Sequence, residues 1–468
     1  MYRLFLLYFL LVSFSLFAET STSLITGMAR DAIVESLTGQ TLIDRSSLIT
    51  SHPFLKKDAA VFVTLNKREQ LRGCIGSLQA HRTLIDDLVS NSRSAAFKDL
   101  RFLPLKKDEL GKLEVEVSIL TAPEAIKYDS VDSLRRQVRT GQDGIVLESG
   151  KHRATYLPQV WKQFNGFDEY FTSLCQKAGL GQGCLSMRPK IFRYHAKKYS
   201  EKSLSRRPTP NAGLFYPGSC AETEQWFTTF NQKAKQRDRT VSNGTPRALI
   251  VPHAGYVYSG YTANLAYAMA QKSSAKRIIV IGPSHRVYFE GLSAAKYEAL
   301  KTPCGLLRSD EQYLQKLDKR FSFGFVKEAH AKEHSTEVQF PFINHYMPEK
   351  KVIEIIYGKS TKRELTELMV HLLNDPDNLL IISSDLSHYY AKKEAHNKDF
   401  ICLDAVEQID SKLLKSGCEA CGYDGIKALL EAVKTVGLKS QLLDYRTSAD
   451  ASGDDKRVVG YMSAFFWR

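Results

Sequence analysis

The chain is short of cysteine, with 8 in 468 residues, which excludes a small secreted fold held together mainly by disulfides. Acidic residues are in deficit too: 51 Asp and Glu face 65 Lys and Arg, a formal net charge of +14. Such basicity suits polyanions in general. The Lys and Arg are scattered, however, and no nucleic-acid-binding motif accompanies them, so no specific nucleic acid is expected as a partner. Internal repeats are absent. Hydrophobic content of 43% and charged content of 25% exclude a mainly disordered, collagen-like or polytopic membrane chain.

What is present begins with Arg3 and an uninterrupted apolar run from Leu4 to Ala18. The run has the length of a secretory h-region and is short for a spanning helix. Residues 1–18 are therefore expected to be a signal peptide cleaved after Ala18, although Leu16 departs from the small-residue rule at position −3, or an uncleaved anchor. The expected location is exported, periplasmic or membrane-anchored, with the cytoplasm as the alternative, and membrane contact is expected only through an uncleaved leader. In an exported chain Cys175 and Cys184 form a candidate local bridge, while Cys418 and Cys421 have the spacing of a CxxC redox pair without a thioredoxin context.

A composition shift near residue 200 divides the rest into two parts, each long enough for its own core. Residues 22–195 mix strand and helix signals, the pattern of an α+β domain. AAVFVTLNKREQLRGCIGSL reads as two strands around a polar turn, and KLEVEVSIL alternates with the period of a half-buried strand. LIDDLVSNSRSAAF and EYFTSLCQKAGL read as helices, the second ending at Gly179. Residues 196–212 are polar, basic and rich in proline near their end, as expected of an exposed linker. Residues 213–468 alternate apolar runs with helical segments, which predicts an α/β layered sheet. Its strands are RALIV, RIIVI, KVIEIIY and NLLIIS, apolar enough to be buried on both faces.

Three of these strands run into chemistry-bearing residues. Val251 precedes Pro252-His253, Ile281 precedes Gly282-Pro283-Ser284-His285, and Ser383 precedes Ser384-Asp385-Leu386-Ser387-His388. In an open α/β sheet ligands bind outside the carboxyl ends of the strands, so these residues are expected on one rim, where imidazoles could converge on a metal. A single strand-end histidine is more often an ordinary hydrogen-bonded residue; three at one edge shift that balance. Asp385 is expected to orient an imidazole or to cap the following helix. If helical, His330, His334 and Glu337 would stack on one face, and Cys421 would add a soft thiolate donor.

VPHAGYVYSG, IGPSHRVY, EHSTEVQFPF, SSDLSHYY and ACGYDG, in this order between Gly213 and Trp467, resemble the Memo family, the B component of the AmmeMemoRadiSam system. That resemblance implies a fold like the class III extradiol dioxygenases and a metal site of His253, His285 and Cys421. It implies pocket roles, catalytic or supporting, for His388, Asp385, His334 and Glu337. LRGCIG, AAFKDLRF, LEVEVSIL and GIVLESGKHRATYLPQVW resemble the AMMECR family, the A component of the same system, and the system's name implies a radical-SAM protein as partner. For Arg72, Gly73 and Cys74 two readings stand: a groove that meets a ligand, or a tight strand-to-turn packing motif around a buried cysteine.

Two imidazoles and a thiolate suit iron or copper, with zinc also compatible, and serve hard oxygen-seeking ions poorly. The expected function is redox or oxygen-linked chemistry on a small molecule. A thiolate in place of the dioxygenases' carboxylate puts ring cleavage in doubt. The rival is a non-catalytic iron or copper carrier, or a scaffold that binds a peptide partner.

Overall fold

The computed structural model describes residues 22–237, 241–359 and 362–468; the expected leader, residues 1–18, lies outside the described residues. No helix among the described residues is long and apolar enough to cross a membrane. The chain forms two compact units, divided between Leu204 and Ser205, with Lys107–Lys112 belonging to the second.

The first unit contains β1 (Ala60–Lys67), β2 (Gln70–Gly76), β3 (Leu113–Leu120), β4 (Glu124–Ile126), β5 (Gly144–Ser149), β6 (His152–Tyr156), β7 (Lys190–Tyr194) and β8 (Ala196–Ser200). They form two antiparallel sheets, ordered β2-β1-β3-β8 and β4-β7-β5-β6. Alternation in LEVEVSIL sends Leu113, Val115 and Val117 into the core and leaves the intervening glutamates half-buried. Helix Leu84–Phe97 starts where the Thr83 side chain accepts from Asp86 N, and the expected second helix is Phe167–Lys177. Together these give the α+β character read from the sequence.

The segment expected as an exposed linker is instead built into structure at both ends. Ala196–Ser200 is the edge strand β8, paired with β3. Its lysines face solvent while Tyr199 is buried, which is all a one-sided edge strand requires. Further on, β9 (Arg206–Arg207) pairs with a strand of the second unit, and Arg207 is fully buried.

The second unit is layered. Its strands are β9, β10 (Pro246–Val251), β11 (Arg277–Pro283), β12 (Leu292–Ala294), β13 (Ala299–Thr302), β14 (Gly305–Arg308), β15 (Lys351–Tyr357), β16 (Asn378–Ser383), β17 (His388–Tyr390), β18 (Lys439–Thr447) and β19 (Val458–Trp467). The main sheet runs β12-β15-β11-β16-β10-β19-β17, with β18 on β19. Its centre, β15-β11-β16-β10, is parallel. Successive residues of these strands feed opposite cores. Ile279, Ile281, Leu380 and Ile382 pack with Leu368, Leu372, Leu429 and Val433, whereas Ile278, Val280, Leu379 and Ile381 pack with Ala263, Tyr267 and Phe342. All four strands that the sequence reading located form this parallel centre. Strands β18 and β19, which that reading did not include, extend the sheet antiparallel beyond β10.

Candidate metal centre

Because β10, β11 and β16 are parallel, their carboxyl ends lie on one rim. His253 follows β10, His285 follows β11 and Asp385 follows β16. The loop before helix Tyr423–Val436 brings Cys421 to the same rim. Gly422 permits that approach, since a Cβ there would lie 2.5 Å from the Cβ of Ser384. One ligand atom from each of His253, His285 and Cys421 lies within 4.8 Å of the other two.

The hydrogen bonds fix which ring nitrogens are free. The Ser383 hydroxyl donates its single proton to Ser335 O at 2.5 Å and so faces His253 Nδ1, 2.9 Å away, as an acceptor. The proton therefore belongs on Nδ1, and Nε2 turns its lone pair toward Cys421 Sγ at 3.2 Å. His285 is held the same way: its Nδ1 is 2.9 Å from Glu333 Oε1, and its backbone N–H donates to Glu333 Oε2 at 2.6 Å. Burial pushes the Glu333 carboxyl up, but the hydrogen bonds from His285 and His334 outweigh it and hold the group well below the carboxylate range. It is thus an anion that can only accept, and among the described residues no side chain takes His285 Nε2.

Two of the three side chains are held neutral. Burial lowers His253 well below the usual imidazole value, keeping it neutral, and the neighbouring His285 and His334 add to this. Burial first, and Asp385 second, push the Cys421 thiol up to about 12. A bound cation would reverse that shift and displace the thiol proton. Both histidines present an Nε2 lone pair and the sulfur lies against one of them, so the residues fit a His/His/Cys ligand set.

The other expected site residues divide. His334 reaches the cluster, its ring centroid 5.3 Å from that of His253 and 4.7 Å from that of His285. Asp385 does so through the backbone: Oδ1 accepts from His253 N at 2.7 Å and Ala254 N at 3.3 Å. Its Oδ2 stands 4.0 Å from His253 Nε2, whereas Nδ1 of that ring is held by Ser383; it caps no helix, because the next one starts at Lys392. His388 lines a cavity of about 350 Å³ with Cys421, Leu386, Glu419 and Tyr423.

Glu337 is elsewhere. Its carboxylate accepts from Arg207 Nη1 at 2.7 Å, Asn211 N at 3.0 Å, Asn211 Nδ2 at 2.9 Å and Tyr216 Oη at 2.8 Å. The continuous helix that would have aligned it with His330 and His334 is interrupted. Lys327–Lys332 and His334–Glu337 are separate turns, and Glu333 between them is extended (φ −74°, ψ 129°) and caps the second with its carboxylate. Glu333, Ser383 and Gln339, which donates to Ser383 Oγ at 2.9 Å, were not among the sequence candidates. Their signal was membership of the motifs: Glu333 and Gln339 stand in EHSTEVQFPF, and Ser383 opens SSDLSHYY.

The cysteines sort cleanly. Cys175–Cys184, Cys220–Cys304 and Cys402–Cys418 are disulfides, leaving Cys74 and Cys421 free among the described residues. Cys418 is thus bonded to Cys402, and the CxxC pairing with Cys421 is not formed. In the first unit, Cys74 N donates to Asp99 Oδ2 at 2.8 Å, and Arg101 grips the same carboxylate at 2.7 and 2.9 Å. A Cβ on Gly73 would collide with the Ala95 carbonyl oxygen. Arg72 donates to Leu103 O at 2.9 Å. These contacts interlock LRGCIG with the segment from Ala95 to Leu103, while Cys74 itself is half-buried.

Comparison with known proteins matches both halves. A family model described as Memo-like protein covers residues 206–465, and one described as AMMECR1 covers residues 26–199, so the two are fused in one chain. A MEMO1 family protein of Aquifex aeolicus is 31% identical over 268 residues, 54% of this chain and 97% of the relative. One from Methanocaldococcus jannaschii is 32% identical over 278 residues, 54% and 96% of the two chains. Among solved structures, an uncharacterized protein from Pyrococcus horikoshii matches 39% of this chain and 93% of its own at 32% identity, with a TM-score of 0.35.

Proposed function

The chain belongs to the Memo-like protein family through residues 206–465, and from that premise we propose that His253, His285 and Cys421 hold one redox-capable metal ion, iron or copper before zinc, on a fold of the class III extradiol dioxygenase kind. The observation that carries the proposal is the convergence of these three ligand atoms within 4.8 Å, on loops from three separate places in the chain. Three protein ligands leave a coordination position for a small molecule. The ion, when bound, supplies redox or oxygen-linked chemistry there. The chain's own part is definite. Ser383 and Glu333 hold two imidazoles in the Nδ1–H tautomer, and burial keeps His253 neutral. His388, on the cavity wall beside Cys421, moves a proton to or from the bound molecule.

Element-resolved analysis of protein purified without chelator or affinity metal tests this directly. Near-stoichiometric iron or copper that disappears in a His253→Ala, His285→Ala, Cys421→Ala variant is the expected result. A parent that is metal-free and rebinds none anaerobically would end the proposal. Metal that transfers to a chelator, with no oxygen-dependent turnover of any small molecule, would reassign the site to a carrier.

The reading includes export. Three disulfides support an oxidising compartment; a mature chain that retains Met1 in the cytoplasmic fraction would contradict it. For the cytoplasmic alternative, in which the chain keeps Met1, the proposed partner is a radical-SAM protein, supported by the fusion of the A and B components. Co-purification from the native host under reducing conditions tests that pairing.

A further inference from the structure

Among the described residues no large apolar side chain is more exposed than Leu100, at 100%. It lies on the segment after helix Leu84–Phe97, together with Leu103 at 81%, while Leu71 on β2 is 43% exposed. One set of contacts holds strand and segment together. Arg72 donates to Leu103 O at 2.9 Å, and Arg101 Nη2 reaches Cys74 O at 3.3 Å. Both guanidinium groups lie over the Phe102 ring, 5.8 and 5.5 Å from its centroid. Leu71, Leu100, Phe102 and Leu103 therefore belong to one surface.

The exposure is built in. The Asp99 carboxylate accepts from Arg101 N at 3.1 Å, from Arg101 Nε at 2.9 Å, from Arg101 Nη2 at 2.7 Å and from Cys74 N at 2.8 Å, which fixes the start of the segment. Leu105 is buried at its end, with its N–H on Ala96 O at 2.9 Å. A turn braced at both ends keeps its leucines in water instead of folding them back. One exposed leucine on a loop is ordinary; three on one braced surface mark an interaction site. The charge around them is of one sign. Residues 67–72 and 98–106 hold six Lys or Arg against two acidic residues, and one of those two, Asp99, is paired with Arg101. Lys98 is exposed and has no carboxylate partner among the described residues.

We propose that this surface of the first unit docks on an anionic lipid bilayer, with Leu100 and Leu103 entering the acyl boundary and the exposed Arg68, Lys98 and Lys106 meeting the headgroups. Apolar side chains within a basic collar match a surface that is anionic outside and hydrocarbon beneath. A protein partner would have to offer acidic and apolar groups at matching points, whereas a bilayer offers both everywhere. The chain's net charge of +14 draws it the same way. The docking uses neither the leader nor the metal centre.

The test uses the chain from Glu19 onward, so that the leader cannot supply the contact, sedimented with vesicles of phosphatidylcholine alone and of phosphatidylcholine mixed with phosphatidylserine. Binding to the mixed vesicles only, released by high salt, is expected. Leu100→Asp/Leu103→Asp should lower the partition coefficient at least about tenfold, with an unchanged unfolding midpoint because both side chains are exposed. Lys98→Gln should lower it about fivefold, the value of one basic residue at an anionic surface. Failure to bind the mixed vesicles, or equal binding by the parent and the double variant, would overturn the proposal. Self-association that the double variant abolishes, without vesicle binding, would overturn it too and make the surface a contact between copies. Should the double variant misfold, Leu100→Asp alone decides, since that side chain is wholly exposed: unchanged partition rejects the docking.

Discussion

Two buried polar clusters draw on the same short stretch, His330 to Glu337, and end with opposite character. In one, Arg207 donates to Glu337, to both oxygens of Glu354 and to two backbone carbonyls, while His330 lies 3.2 Å from Glu354 and 2.9 Å from Ser293. Each carboxylate oxygen of Glu337 has two donors. In the other, Glu333 and Ser383 occupy one nitrogen of each imidazole, and the remaining nitrogens and the Cys421 sulfur face one another. Burial and charge are common to both. What separates a structural network from a candidate site is whether donor capacity is left over after the protein's own hydrogen bonds are made.

The sharpest way to break the comparison is Arg207→Met. It strands two carboxylates that are fully buried, a loss of about 3–5 kcal/mol, read by denaturant unfolding. Metal stoichiometry of the protein that remains folded should be unchanged. If the metal were lost at equal stability, the two clusters would be one.

Acid sharpens it next. Burial raises Glu354, but the charges of Arg207 and His330, with hydrogen bonds from His330 and Thr336, outweigh it and hold the carboxyl at about 2 against an ordinary 4.5. A folded-state value below the unfolded one stabilises above the unfolded value and is lost as pH falls through the folded value. Stability should therefore decline from about pH 4.5 to about pH 2, and Glu354→Gln should flatten that part of the unfolding-versus-pH curve even though its plateau is lower.

How much of this was legible beforehand follows from the same contrast. Strands β10, β11, β15 and β16 announce themselves because both faces are apolar, and the rim rule then delivers His253, His285 and Asp385 from sequence alone. Cys421 came from its motif. Glu337 was placed at the site by helical spacing and by its motif; the helix breaks at Glu333, whose carboxylate holds His285, and Glu337 turns to Arg207 instead. Arg207 was hidden in a polar, basic stretch whose burial depends on two glutamates more than 100 residues away in the chain.

Glu333→Gln addresses the residue that serves both clusters, since its carboxylate holds His285 and its carbonyl accepts from Arg207 at 2.8 Å. The substitution keeps the carbonyl and an acceptor but removes the charge. Metal affinity should fall about 10–100-fold while the unfolding midpoint stays near that of the parent. A large drop in midpoint would make Glu333 part of the structural network instead.

Ser383→Ala should have the smallest effect and the most specific one. It removes the acceptor that keeps the proton on His253 Nδ1 and leaves Gln339 to satisfy itself on Pro252 O at 2.9 Å. His253 stays neutral, because burial and the neighbouring imidazoles still lower it, so the only freedom gained is tautomeric. A mixture of Nδ1–H and Nε2–H forms costs at most about tenfold in apparent metal affinity, and nitrogen NMR of the labelled ring should show both. Ser383→Thr, which restores the hydroxyl, should restore the single tautomer and the affinity together; recovery of one without the other would separate ring orientation from metal binding.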